Sequence, residues 1–467
     1  MTTDEFISTY RKEDVRRLAL QAAKFPDVDM PFALDQIAGW QAARRKLPSW
    51  AAVDGLVYPP HISMEQCSSE ATARYKRSEE GRWKNEESKG SEELRGKSEE
   101  SNTFEGLDKG QKENAVFDSS FFPLPSSLLI DLTGGFGVDF SFLSHGFSRA
   151  VYVERQPHLC DVARKNFALL GLDNAEVVCG DGVEYLQTID HAAMIYLDPA
   201  RRDSHGGRTY AISDCTPDVL SLLPILLSKA DRVMVKLSPM LDWHETVRSL
   251  NAVCPDCVAE VHIVSVCNEC KEMLVVMTEH THAPLTVHCA NLSGEGRVKN
   301  EESNTAFSFC PLSNPSKVLD SSLFPLNSSF FPLNSSLPFD SSFFPLPSSL
   351  SLYEPNASIM KAGCFSQLCE RYGVRAVGRN SHLFVSDEAV DDFPGRRFRI
   401  LATSSMNKKE IKKALSGIDS ANITVRNFPL SVAELRKRLK LKDGGDTYIF
   451  ATTVGADKRL LIICKKA

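Results

Sequence analysis

The middle of this chain predicts an α/β fold, a mostly parallel, Rossmann-like sheet of seven strands with helices on both faces, and three observations carry the prediction. Leu128-Leu-Ile-Asp-Leu132 is an apolar run that stops in a glycine-rich turn, Thr133-Gly-Gly-Phe-Gly137, and Val138–Leu143 then resumes at helical spacing. That pattern is a buried strand, a tight loop and a helix whose free amides face the loop. From 128 to 278, strand-length apolar runs go on alternating with helix-length ones. The first four runs end on or just before an acid: Asp131, Glu154, Asp181 and Asp198.

Residues 1–78 read as an N-terminal helical segment. In Asp14-Val-Arg-Arg-Leu-Ala-Leu-Gln-Ala-Ala23 and in Phe32–Ala43, apolar residues fall three and four apart, with Pro48 and Pro59-Pro60 as punctuation. A third helix is expected from about Ser63 through Lys76. Its many small hydroxyl residues suit a polar cleft or a solvated face. Residues 79–127 lose all periodicity and turn rich in Glu, Lys, Ser and Gly, a composition that favours disorder. Their closing run, Asp118-Ser-Ser-Phe-Phe-Pro-Leu-Pro-Ser-Ser-Leu128, returns letter for letter at Asp340–Leu350. Their opening, Glu80-Gly-Arg-Trp-Lys-Asn-Glu-Glu-Ser88, resembles Glu295-Gly-Arg-Val-Lys-Asn-Glu-Glu-Ser303. Proline in every copy argues against strands or helices. Both blocks, 79–127 and 293–350, are therefore read as inserted loops with no part in chemistry.

Between the blocks, strands are predicted at Leu128–Leu132, Ala150–Glu154, Ala175–Cys179, Ala193–Leu197, Arg232–Leu237, Glu260–Cys267 and Lys271–Thr278. Helices fall between the first six, for example Pro157–Leu170 and Pro217–Lys229. Only a short turn separates the last two strands, so they pair antiparallel. Residues 279–467 read as small α+β domains, with strands at Phe398–Ala402, Ile423–Phe428 and Tyr448–Thr453 and helices at Asn407–Leu415 and Ser431–Leu439. From Gly395 onward, seventeen Lys/Arg stand against six Asp/Glu, a local +11 in a chain of net charge −6. A basic region of that size points to a polyanion, and specifically to nucleic acid, as partner. Its densest cluster is Arg436, Lys437, Arg438, Lys440 and Lys442.

Other classes are excluded on composition. Thirteen cysteines, an odd number scattered along the chain, fit free thiols in a reducing compartment better than a disulfide framework. The start, Met-Thr-Thr-Asp-Glu-Phe, has neither a basic nor an apolar leader region, and no apolar run approaches the ~18 residues of a membrane span. The expectation is a cytoplasmic protein without membrane contact.

Ligands of doubly wound sheets bind at the carboxyl ends of the strands. There, Glu154 is placed to accept from a ribose diol and Asp181 from an exocyclic adenine amine. Gly135 and Gly137 let the backbone approach a ligand closely. The spacing from the loop to Glu154 also fits a nicotinamide dinucleotide fingerprint, but that fingerprint closes on a third glycine where this chain has Asp139-Phe140. Lys236, at a strand end, is either structural or a holder of substrate phosphate. The pairs Cys254/Cys257 and Cys267/Cys270 invite a zinc reading. The nine residues between them, Val258–Val266, form a largely apolar strand of roughly 30 Å, too long for four sulfurs to share one ion. No metal is expected, and His244 and His262 are read as structural.

Taken together, Asp131-Leu-Thr-Gly-Gly-Phe-Gly137, Glu154, Asp181 and the final antiparallel strand resemble the class I S-adenosylmethionine-dependent methyltransferases. Thr133 stands where many members have a further glycine. A narrower resemblance is carried by Glu65-Gln-Cys-Ser-Ser-Glu-Ala-Thr-Ala-Arg-Tyr-Lys76, Leu197-Asp-Pro-Ala-Arg-Arg-Asp203, Lys236-Leu-Ser-Pro-Met-Leu-Asp242 and Asn268-Glu-Cys-Lys-Glu272. In the second half it is carried by Tyr353-Glu-Pro-Asn356, Lys361-Ala-Gly363, Phe393-Pro-Gly-Arg396 and Arg426-Asn-Phe-Pro429. These stretches are similar to a bacterial family of such methyltransferases that carries a ferredoxin-like linker domain and a C-terminal THUMP-like domain. The resemblance implies S-adenosyl-L-methionine as cofactor, held by Asp131, Thr133, Gly135, Gly137, Glu154 and Asp181. It also implies a methyltransferase domain over 128–278, a ferredoxin-like domain over 279–394 interrupted by 293–350, and a THUMP-like domain over 395–467. Through the THUMP name it implies RNA.

Asp198-Pro199-Ala200-Arg201 occupies the slot where amine methyltransferases have Asp/Asn-Pro-Pro-aromatic. There the acid and a carbonyl near the proline accept hydrogen bonds from the target amine, and transfer is largely positioning. Asp198, Pro199 and Arg201 are the catalytic candidates on that likeness. With no aromatic present, Arg201 and Arg202 are left to stack on a base or hold a phosphate. The uracil C5 enzymes, with Asp-Pro-Pro-Arg, need a cysteine at the next strand end. This chain has Val235-Lys-Leu-Ser-Pro239 there, and a serine without a base is too weak a nucleophile. The expectation is methylation of an exocyclic or ring nitrogen of an RNA base. A non-catalytic RNA- or nucleotide-binding protein and a small-molecule methyltransferase are the alternatives; the intact acids weigh against the first and the basic tail against the second.

Overall fold

The computed structural model describes every residue except 60, 96–126, 202–211, 282, 295–303, 312–349, 379 and 455–457. Most of both low-complexity blocks, and Arg202, lie outside the described residues. The chain forms two compact units, one of Met1–Ala259, Met273–Ala283 and Ser293–Glu302, the other of Glu260–Glu272, Pro284–Leu292 and Ser303–Ala467. No helix among the described residues is long and apolar enough to cross a membrane.

The first unit begins with short helices and then α1 (Met30–Lys46), which starts where the Asp29 carboxylate accepts from the Phe32 amide at 3.2 Å. The helix expected from Ser63 is broken in two. A short turn of helix, His61–Gln66, is followed by Cys67-Ser68-Ser69 and then by α2 (Glu70–Arg95). The break has a local cause: the Ser69 hydroxyl accepts from the Thr72 amide at 3.3 Å, which caps a new helix. At its far end α2 runs seventeen residues past the expected boundary at 78. Glu80 and Trp83, both inside the block read as a loop, are buried, and the Arg232 guanidinium lies 5.2 Å from the Trp83 ring centroid. Two anchoring side chains are enough to hold the start of a sequence that is otherwise polar all round.

The sheet strands are β1 (Leu128–Asp131), β2 (Arg149–Glu154), β3 (Ala175–Cys179), β4 (Ala192–Leu197) and β5 (Ala230–Leu237), all parallel, in the order β3-β2-β1-β4-β5. Ile130 sits between Val151 and Ile195, and all three are fully buried, as a sheet covered on both faces requires. After β6 (Val258–Val266) the chain reverses at Cys267-Asn268, and β7 (Glu269–Met277) runs antiparallel to β5 and neighbours β6. This is the mixed sheet that the alternation predicts. Its helices are α3 (Val138–Leu143), α4 (Pro157–Leu169), α5 (Gly182–Thr188), α6 (Val219–Ser228) and α7 (Trp243–Val253). The N-terminal helices share a core with the glycine turn, in which Trp40, Trp50 and Tyr58 pack with Phe136, Val138 and Phe142.

In the second unit, Glu260–Val266 of β6 pairs in parallel with β8 (Thr286–Leu292), and β9 (Thr305–Phe309) pairs antiparallel with β8. β9 lies inside the second low-complexity block, against expectation, and buries Phe307 and Phe309. A seven-stranded sheet follows, in the order Arg375–Ala376, β11 (Phe384–Ser386), β10 (Ser351–Pro355), β12 (Gly395–Ser404), β15 (Lys458–Lys466), β14 (Thr447–Val454) and β13 (Asn422–Arg426). The ferredoxin-like and THUMP-like stretches therefore share one sheet, through β10 and β12. Leu460, Ile462 and Cys464 pack on one face of β15, and Leu461 and Ile463 on the other with Leu435 and Leu439. Those two leucines come from α9 (Val432–Leu439), which follows α8 (Lys408–Ala414).

Candidate active site

The glycine turn is tied to three strands by its own hydrogen bonds. The buried Asp131 accepts from the Thr133 amide at 2.9 Å and its hydroxyl at 3.3 Å. The Gly134 amide donates to the Val153 carbonyl of β2 at 2.9 Å, and the Gly135 amide to Glu154 Oε2 at 2.9 Å. The other Glu154 oxygen accepts from the Gln156 amide at 2.9 Å, so this carboxylate is fixed on both sides. The Thr133 hydroxyl also accepts from the Asp198 amide at 2.6 Å, which fastens the end of β4 to the turn. Tyr152 closes the loop from beneath by donating its hydroxyl proton to the Gly135 carbonyl.

The glycines divide by what a methyl group would meet. At Gly134 it would stand inside the Tyr152 ring, at Gly182 on the Leu132 carbonyl oxygen, and at Gly137 2.7 Å from the Phe167 ring. At Gly135, where φ is +58°, it would meet only the Thr133 carbonyl at 3.6 Å. Of the two glycines read as ligand-approach positions, Gly135 opens outward, and Gly137, at φ +80°, serves internal packing.

A buried charge cluster lies beside the turn, built around Asp139 at the start of α3. Its Oδ2 accepts from Ser68 Oγ at 2.7 Å and Tyr196 OH at 2.8 Å and lies 3.1 Å from Lys236 Nζ, while its Oδ1 is 3.0 Å from Lys76 Nζ. Lys76 is 0% exposed. Lys236 Nζ also reaches Ser68 Oγ at 3.1 Å and Asp198 Oδ2 at 2.5 Å. Burial opposes the charge on Asp139, but the Lys236 and Lys76 ammonium groups and the two hydroxyl donors hold its carboxyl well below the usual range. Asp131 goes the other way. Burial pushes it up to about 8; the Thr133 amide opposes this, and the Asp139 and Asp198 carboxylates add to it.

The structure thus brings Asp131, Thr133, Gly135, Glu154, Asp198 and Lys236 together. Lys236 is engaged with two carboxylates and a serine. Pro199 is buried beside Asp198, whose side chain is 41% exposed. Asp181 caps α5, accepting from the Val183 amide at 2.8 Å and the Glu184 amide at 3.2 Å. The backbone of Arg201 pairs with Cys215 in a two-residue ribbon after β4. Arg436 donates to the Ala421 and Lys442 carbonyls at 3.0 and 2.9 Å and to Asp443 at 2.6 Å, whereas Lys437, Arg438, Lys440 and Lys442 are exposed. Sequence reasoning missed Asp139, Lys76, Ser68 and Tyr196. The available signals were an acid inside the apolar run Val138–Leu143 and a hydroxyl-rich helix ending on lysine. The thirteen cysteines are free thiols.

Residues 395–466 match the family described as THUMP domain-like, and residues 352–394 match a ferredoxin-like domain family. Among curated proteins, none matches the sequence. The crystal structure of a protein from Porphyromonas gingivalis W83, assigned as a methyltransferase, is similar over 100% of this chain and 97% of its own, with 29% identity and a TM-score of 0.72. The SAM-dependent methyltransferase from Agrobacterium tumefaciens covers 34% of this chain and 57% of its own at 18% identity, with a TM-score of 0.26, too low to bear on the argument. The full-length similarity, the mixed sheet and the two matched domains give one conclusion: the chain has the class I methyltransferase fold followed by a ferredoxin-like domain and a C-terminal THUMP-like domain, and it is similar throughout to a methyltransferase-assigned protein of the same build.

Proposed function

We propose that this chain is an S-adenosylmethionine-dependent methyltransferase acting on an exocyclic or ring nitrogen of an RNA base. The observation that carries the reading is the meeting, at the ends of β1, β2 and β4, of an outward-open glycine turn, a fixed Glu154 and a half-exposed Asp198. The residues fit the cofactor. Gly135 has open space where a side chain would stand, and Glu154 and Asp181 are acceptors at successive strand ends, suited to a ribose diol and an adenine amine. When bound, the cofactor supplies a methyl group already activated on a positively charged sulfur.

This chain's residues then have positioning to do. Asp198 accepts a hydrogen bond from the target N–H, which aims the nitrogen lone pair, and it is placed to take the proton that the methylated nitrogen sheds. Lys236, 2.5 Å from Asp198 and anchored on Asp139, holds that carboxylate in orientation. Pro199 stiffens the turn, and Arg201 is the candidate to stack on the base. The exposed Lys437, Arg438, Lys440 and Lys442 are available to RNA phosphates, which the THUMP domain-like match supports.

Two measurements test the reading. Titration with S-adenosylhomocysteine is expected to saturate at one site per chain, and binding of NAD in its place would refute the cofactor. Mass spectrometry of nucleosides from cells with and without the gene is expected to show one methylated base that disappears. An unchanged nucleoside profile alongside intact cofactor binding would move the substrate to a small molecule.

A further inference from the structure

We propose that Glu260, His262 and His288 form a binding site for a divalent transition-metal cation of the zinc class. The three residues sit on neighbouring strands of the second unit and on one face. Glu260 and His262 are two apart on β6, and His288 of β8 is the register partner of His262. One ligand atom from each lies within 4.8 Å of the others. His262 is 0% exposed, Glu260 13% and His288 16%, so an ion here would be largely shielded from solvent.

The geometry suits a shared ion better than a shared proton. Glu260 Oε2 lies 2.9 Å from His262 Nε2 and 3.8 Å from His288 Nε2. The first distance is a hydrogen bond; the second is too long for one. Ligands bonded at ~2.0–2.1 Å around a tetrahedral ion stand roughly 3.3 Å apart, midway between the two, and all three ligand atoms already lie within 4.8 Å of one another, so an ion would draw them together. The imidazoles face each other, with centroids 4.6 Å apart and planes 18° apart, and both turn Nε2 toward the same carboxylate oxygen. His288 Nδ1 is 2.8 Å from Ser308 Oγ on β9, and this contact to the remote ring nitrogen fixes the orientation of the ring that presents Nε2. Two imidazoles and one carboxylate are a ligand set for zinc or a neighbouring divalent metal, with a fourth position for water or substrate. The expectation of no metal rested on the four cysteines, with His262 read as structural; this site uses no cysteine and takes His262 as a ligand instead.

The test uses the full chain, stripped with chelator and titrated with Zn2+ by calorimetry, then loaded with Co2+ for visible spectroscopy. Wild type is expected to bind one equivalent, and the Co2+ form to show ligand-field bands without the near-ultraviolet thiolate band. Replacing a residue that only orients a ligand costs metal affinity about 10–100-fold, so Ser308→Ala is expected in that range and His288→Ala and Glu260→Gln at or beyond its upper end. His262 is wholly buried and His262→Ala is open to misfolding, so the judgement rests on His288→Ala and Glu260→Gln, each first shown to melt cooperatively. No binding by wild type would overturn the site. So would affinity unchanged in both variants, or a thiolate band abolished by Cys254→Ser with Cys257→Ser.

Discussion

At the residue scale the candidate site is governed by two buried acids with opposite fates. Asp131 has a folded pKa of about 8, above its unfolded value of ~3.9. Between roughly pH 4 and 8 the unfolded chain has released this proton and the folded chain keeps it. This group therefore lowers stability by up to ~1.4 kcal/mol per pH unit as pH rises through the window. Asp139, held low by its lysines, contributes stability that is fully present above the ordinary carboxylate range and lost as pH falls below that range toward its depressed folded value. Asp131→Asn should flatten the decline in urea-unfolding free energy between about pH 5 and 8; a wild-type slope in the variant would mean that Asp131 is already ionised. Asp139→Asn leaves Lys76 buried opposite a neutral amide and should cost about 3–5 kcal/mol, read in the same unfolding curves. The glycines make a second contrast. Gly134→Ala must push the Tyr152 ring and should lower the melting temperature. Gly135→Ala has room and should leave folding nearly intact, at a strain of ~1 kcal/mol for its positive φ, while weakening S-adenosylhomocysteine.

At the scale of elements, what was legible in the sequence was what periodicity records. α4 and α6 form within two residues of the predicted spans because their signals are local: apolar spacing in both, Pro157 opening α4, and Asp218 capping α6 by accepting from the Leu220 and Ser221 amides at 3.1 and 3.3 Å. The acids at the strand ends were legible because strand length and a following turn fix where they stand. Lys76 and Asp139 were not, because a lysine on a hydroxyl-rich helix reads as solvated until its helix is seen packed against the turn. β15 escaped for a different reason: Leu460–Cys464 is apolar without alternation, since both faces are covered, and such a run cannot be told from a helix core. The extension of α2 was hidden by its composition. It makes a sharp prediction: Trp83→Ala should cost about 3–5 kcal/mol as a buried aromatic. Deleting 80–126 should likewise lower the melting temperature by several degrees, whereas deleting 96–126 should not. Equal stability of the two deletions would return residues 80–95 to the inserted loop.

At the scale of the whole molecule, charge is divided unevenly, with +11 from Gly395 to the end of a chain of −6. The sequence alone makes Arg436 one more member of the basic cluster. In the structure it ties the end of α9 to Ala421, Lys442 and Asp443, so its loss should be felt in folding. Lys437, Arg438, Lys440 and Lys442 are exposed and should be felt in binding. If these four meet phosphates, affinity for a single-stranded RNA oligonucleotide falls as salt rises, with a log–log slope of roughly −0.7 per phosphate neutralised. Changing all four to glutamine should weaken binding and flatten that slope by up to about 3, while the melting temperature and S-adenosylhomocysteine affinity stay at wild-type values. Arg436→Gln should do the reverse, lowering the melting temperature with a smaller effect on the slope. Fluorescence anisotropy over a salt series reads both. An RNA affinity that ignores salt and all four substitutions would remove RNA from the proposed function and leave the glycine turn, Glu154 and Asp198 to serve a small-molecule acceptor.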